Sequence, residues 1–168
     1  PRESQPDFVS RVPNEFPRPV KPGDHGLAAA DAAYSMAPFT VPPGQVLLIE
    51  GRWPDDCRCA NVCLWNRHMQ TLDYLNRQVT LNRRQTKPEP DGSFRIAIAH
   101  EDPGVPNWLD TEGRAFGLVF FRYMLPQSEI VYRPVVGTVH LYVTSCAAHE
   151  RVSHIPVCQH DGHIGNGP

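Results

Sequence analysis

The sequence predicts an all-β protein, a sandwich or barrel with one minor helix, on three observations. Proline accounts for 18 of 168 residues, roughly twice its ordinary share of about 5%, and a residue that removes a backbone donor and fixes its own dihedral excludes long helices. From residue 45 onward the apolar residues fall into short runs with strand periodicity, separated by turn residues. The chain is 40% hydrophobic and 20% charged, enough apolar material for one core and too little charge for a disordered polyelectrolyte.

The elements follow in chain order. Nine of the 18 prolines lie within residues 1–43, so residues 1–23 read as an extended arm lying on a surface. Residues 27–36, LAAADAAYSM, have helix-forming composition, with Asp24 as a candidate cap and Pro38 as the stop. The Pro-Pro-Gly of residues 42–44 is a turn, and 45–50 and 60–65 are near-continuous apolar runs that predict strands. Residues 78–82 form a shorter candidate strand, and Asp91-Gly92 is a tight-turn dipeptide just before residues 93–100. There Phe94, Ile96 and Ile98 alternate with Arg95, Ala97 and Ala99. Residues 117–125 place Leu118, Phe120 and Met124 on one face and Val119, Phe121 and Tyr123 on the other, as in a strand buried on both sides. Residues 138–144 alternate with Val139, Leu141 and Val143 inward. After Thr144 the periodicity stops, leaving residues 145–168 as a His-, Cys- and Gly-rich tail and residues 24–144 as the sandwich domain.

Charge narrows the partners. The formal net charge is −2, so no global field draws the chain to nucleic acid or to an anionic membrane. There is no apolar stretch of the length that spans a bilayer. Five cysteines are an odd number and too few for a disulfide-stapled scaffold, which favours a reducing compartment such as the cytoplasm. The first residue is Pro1 and not methionine, so a processed or cut piece is expected, and localisation is only weakly constrained.

Within residues 36–125 the segments EGRWP, NVCLWNRHMQTLDY, LNRRQT, DGSFR, IAHEDPGVPNWLDTEGR and FFRY occur in that order. In combination they resemble a bacterial family numbered twelve-fourteen among the domains of unknown function. The resemblance implies a jelly-roll-like antiparallel sandwich, often the C-terminal half of a larger protein whose other half is a related sandwich. It implies no reaction. The partner expected from it is an upstream domain of the same parent protein, or a second copy in a homo-oligomer.

Three groups of residues are candidates for chemistry. Asn66, Arg67, His68, Asn82 and Arg83 belong to a stretch in which Asn-Arg pairs recur, and the planar fork of arginine suits a carboxylate, sulfate or phosphate. The same residues serve equally to satisfy turn backbones. His100, Asp102, Asn107 and Trp108 lie at a strand end and in a Pro/Gly loop, where a His with an orienting Asp acts as a general base, or where Asp side chains cap the loop and Trp108 plugs it. Cys146, His149, His154 and Cys158, with His160 and His163 nearby, could close a tetrahedral zinc site, although their spacing matches no finger. Cys57 and Cys59 resemble half a metal site only loosely, and Cys63 reads as a small core residue. No glycine-rich phosphate loop occurs, which disfavours nucleotide hydrolysis. The reading is therefore an accessory or interaction module without a cofactor. The alternatives are an enzyme domain acting on a small anionic or polar substrate through residues 64–68 and 98–108, and a zinc-binding accessory domain built on the tail.

Overall fold

A computed structural model describes residues 6–22, 28–126 and 140–143. They form an all-β fold of eight strands: β1 (Ala32–Thr40), β2 (Gln45–Gly51), β3 (Cys57–Trp65), β4 (Thr80–Asn82), β5 (Phe94–Ala99), β6 (Trp108–Asp110), β7 (Phe116–Pro126) and β8 (His140–Val143). A first sheet has the order β1-β7-β3-β4 and a second the order β6-β5-β2-β8. The pairs are antiparallel except β5 with β6, which is parallel. That pair corrects the fully antiparallel expectation.

The alternation read from the sequence places the core. Val119, Phe121 and Tyr123 of β7 are buried between the sheets with Phe39, Val62 and Leu64, facing Leu47, Ile49, Phe94, Ile96 and Ile98 of the second sheet. Each such side chain, once fully buried, contributes about 1.5–3 kcal/mol through apolar area removed from water. Gly117 is required by this packing: a Cβ there would lie 2.6 Å from the Trp65 carbonyl oxygen and 2.6 Å from the Phe39 ring.

Residues 32–36 of the expected helix are strand β1, and no helix occurs among the described residues. Alanine's helix preference is worth less than about 1 kcal/mol per residue and gives way to tertiary pairing. Here β1 pairs with β7 from Ala32↔Met124 to Thr40↔Phe116. The backbone groups of its even-numbered residues face away from β7, as the bonds of Tyr34 and Met36 to the preceding segment show. Pro38, at one of these positions, therefore lacks a donor only where β7 does not need one, the edge placement that proline tolerates.

That preceding segment closes the edge. Met36 N–H donates to Phe8 O at 2.7 Å, Ser10 N–H to Met36 O at 2.8 Å, and Asn14 N–H to Pro38 O at 2.8 Å. Asn14, at φ 64°, turns the chain and pairs its side-chain amide with both backbone groups of Thr40, at 2.9 and 3.1 Å. Val20 then exchanges both backbone bonds with Tyr34. Phe8 packs on Tyr34 outside the first sheet, while Phe16 meets Phe121 edge-on on the core side.

Candidate functional site

The loops that carry most of the predicted site residues are held by their own polar side chains. Asn66 Oδ1 accepts from the N–H groups of His68 and Gln70, and its Nδ2 donates to Gln70 Oε1 at 3.0 Å. Asn82 Oδ1 accepts from the N–H groups of Arg84 and Gln85. Arg83 donates to the Pro54 carbonyl at 2.8 Å. Arg67 and His68 are exposed, and Arg67 forms no ion pair among the described residues.

His100 is half-buried and both ring nitrogens are engaged. Nε2 is 2.9 Å from the Val41 carbonyl, to which it donates, and Nδ1 is 2.6 Å from the hydroxyl of buried Thr111. Asp102 does not orient the ring; it accepts from Gly104 N–H at 2.8 Å. Asn107 is 3% exposed and spends its amide on three backbone groups: it accepts from Lys87 N–H and donates to the carbonyls of Lys87 and Arg95. Trp108 donates its indole N–H to Ala99 O at 3.2 Å and packs outside the second sheet beside Val46, Leu48 and Val105.

Between these loops, Arg77 pairs with buried Asp110 at 2.7 Å, and that carboxylate holds the guanidinium pKa above its ordinary value. Asp110 also accepts from Glu112 N–H, and Glu112 in turn accepts from Asp73 N–H. The amide of Asn76 beside it draws the Asp73 carboxyl below the usual carboxylate range. Leu72 and Val79 anchor the 66–79 loop in the core, while Tyr74 and Leu75 stand 64% and 79% exposed.

Elsewhere a cavity of about 370 Å³ lies against Gly51 and Phe94. Four of its five charged residues pair, Glu50 with Arg95 at 2.8 Å and Arg52 with Asp91 at 3.5 Å, Glu89 being the fifth, and it takes in none of the predicted residues. Among the described residues no group of three or more His, Cys, Asp or Glu is placed to hold a metal. Cys146, His149, His154 and Cys158 lie outside the described residues.

The feature missed from the sequence is the outer face of the first sheet. Sheet faces away from a core are usually polar, yet this one carries Tyr34, Met36, Phe120, Cys63, Trp65, Leu118 and Met124 in one apolar cluster, against which Phe8, Val9 and Ala28 of the chain's own N-terminal part also pack. Phe120 is stacked against two rings, Trp65 at 4.4 Å and 29° and Tyr34 at 5.3 Å and 15°. Phe116, on the same strand, is 47% exposed. Arg122 lies 5.3 Å above the Phe120 ring centre, its Nε is buried without a hydrogen-bond partner, and no carboxylate pairs with it among the described residues. Burial pushes the Cys63 thiol up to about 11 despite nearby Arg122 and a hydrogen bond with Trp65. The available signal was the two-faced apolar pattern of residues 117–125, which announces a second buried or bindable face.

No family model matches the chain, and no curated protein matches it. It is similar in structure to a crystallised uncharacterised protein from Burkholderia cenocepacia, with 25% identity and a TM-score of 0.63 over 79% of this chain and 34% of that one. A protein from Vibrio parahaemolyticus overlaps 61% of this chain and 28% of its own length at 20% identity and a TM-score of 0.48. The chain thus spans about a third of the length of these solved structures. Among the described residues no helix is long and apolar enough to cross a membrane.

Proposed function

We propose that the chain is one sandwich of a longer bacterial protein of the unknown-function family numbered twelve-fourteen. In this reading it is an accessory and interaction module, and it packs the outer face of its first sheet against the remainder of that protein. The observation that carries the reading is the match to the Burkholderia protein, which accounts for 79% of this chain but only 34% of the other. The outer face supports it: Trp65, Leu118 and Met124 are only partly covered there and Phe116, on the same strand, is exposed, so further covering them is stabilising. The engagement of His100, Asn107 and Asn66 with backbone groups fits a module whose loops are structural.

The test is an experimental structure of the full product of the parent reading frame. The expected result is a second sandwich seated on Trp65, Leu118 and Met124. A full product consisting of this sandwich alone, or a second domain seated elsewhere with this face in water, overturns the proposal.

A further inference from the structure

We infer that the cavity at the end of the β2–β5 pair binds a small organic cation, with Glu89 as the group that receives its N–H donors. This site is separate from the proposed docking face and does not depend on it. One wall comes from the sheet: Glu50 and Arg95 are register partners, and Arg95 Nε donates to Glu50 Oε1 at 2.8 Å. The opposing wall is the turn of residues 89–93. Glu89 fixes that turn through both of its backbone groups, donating to Ser93 O at 2.8 Å and accepting from Gly92 N–H at 2.9 Å. Asp91 is committed within the turn, because the Ser93 hydroxyl and N–H, followed by Arg52, hold its carboxyl below the usual carboxylate range. Gly92, at φ 82°, makes room for Arg52, since a Cβ there would lie 2.7 Å from Nη1.

Glu89 is left over. It is half-buried, and its carboxylate has no ion pair or side-chain hydrogen bond among the described residues, whereas the other four charges of the lining form two opposite pairs. Three carboxylates against two guanidiniums leave the cavity with one uncompensated negative charge. A carboxylate partly removed from water and lacking a partner gains from a cation placed beside it.

The surroundings select which cation. About 370 Å³ lies in the range of small-molecule sites, roughly 300–1,000 Å³, and is far more than a bare ion fills. No group of three or more His, Cys, Asp or Glu among the described residues is placed to hold a metal. The aromatic side chain of the lining, Phe94, is only 4% exposed, too covered to cage a quaternary ammonium by cation–π contact. Recognition therefore falls to charge-assisted hydrogen bonds from N–H donors, which a primary ammonium or a guanidinium supplies.

The experiment titrates the ¹⁵N-labelled 168-residue chain at pH 7 and fixed ionic strength, following the backbone amides of Glu89, Gly92 and Ser93. The probes are n-butylammonium, methylguanidinium, n-butanol, tetramethylammonium and butyrate. At least one of the two N–H cations is expected to bind about threefold or more tightly than butanol, and the one that does identifies the headgroup. Tetramethylammonium and butyrate are expected to bind no better than butanol. Glu89→Gln is expected to abolish the preference and Glu89→Asp to retain part of it, with amide shifts outside the turn unchanged in both variants. Equal affinity for butanol and both N–H cations, a preference that survives Glu89→Gln, or tighter binding of butyrate or tetramethylammonium overturns the inference.

Discussion

Asn107 illustrates the residue scale, because one buried amide holds together a strand and two loop segments. Asn107→Ala leaves Lys87 N–H and the carbonyls of Lys87 and Arg95 without partners. It is expected to cost about 2–3 kcal/mol, read as a lower urea midpoint at unchanged m value. Arg67→Ala, by contrast, removes an exposed side chain without an ion pair and is expected to stay within about 0.5 kcal/mol of the parent. The cysteines divide by environment. Among the three cysteines of the described residues, exposed Cys59 is expected to take up iodoacetamide first, with Cys63 slow at pH 8 because burial pushes its thiol up to about 11. Peptide-resolved mass spectrometry checks the order, and equal rates would contradict it. Asp73 sets an acid limit: its folded pKa lies below its unfolded one, so its contribution is present above the ordinary carboxylate pKa and is lost as pH falls through the folded value. Asp73→Asn should flatten the stability curve on that side.

At the scale of elements, the segment along β1 does what edge strands need. Its hydrogen bonds to Met36 and Pro38 occupy groups that would otherwise template pairing with another chain. Removing residues 1–16 is expected to lower stability and to produce concentration-dependent association, seen by sedimentation velocity; a stable monomer would contradict that role. The strands most legible in the sequence were those with long alternating or continuous apolar runs, β2, β3, β5 and β7, since core burial imposes that pattern. β1 was hidden because three of its seven buried positions are Ala32, Ala33 and Ala37, a composition that favours a helix when register is unknown. β6 was hidden because three residues, Trp108–Asp110, are too few for a period, and its pairing depends on Asn107. Among the candidate site residues, the sequence located the polar loops but not how their side chains are used. Asn66, Asn82, Asn107 and His100 meet backbone or hydroxyl groups that lie far away in the chain or are set by turn geometry. The outer face was written in residues 117–125, but only strand order puts Trp65 and Tyr34 on either side of Phe120.

For the whole molecule, the decisive property is that each sheet carries an apolar cluster outside the core, the larger on the first sheet, while the solved structure it resembles is about three times as long as the region matched. A sandwich with partly exposed apolar residues on an outer face gains from any surface that covers them further. Hydroxyl-radical footprinting of this chain alone and within its full-length parent tests this most directly. Trp65, Met124 and Phe116 are expected to be oxidised in the isolated chain and protected in the parent, with exposed Tyr74 equally reactive in both. Equal oxidation of Trp65, Met124 and Phe116 in the two proteins would contradict it.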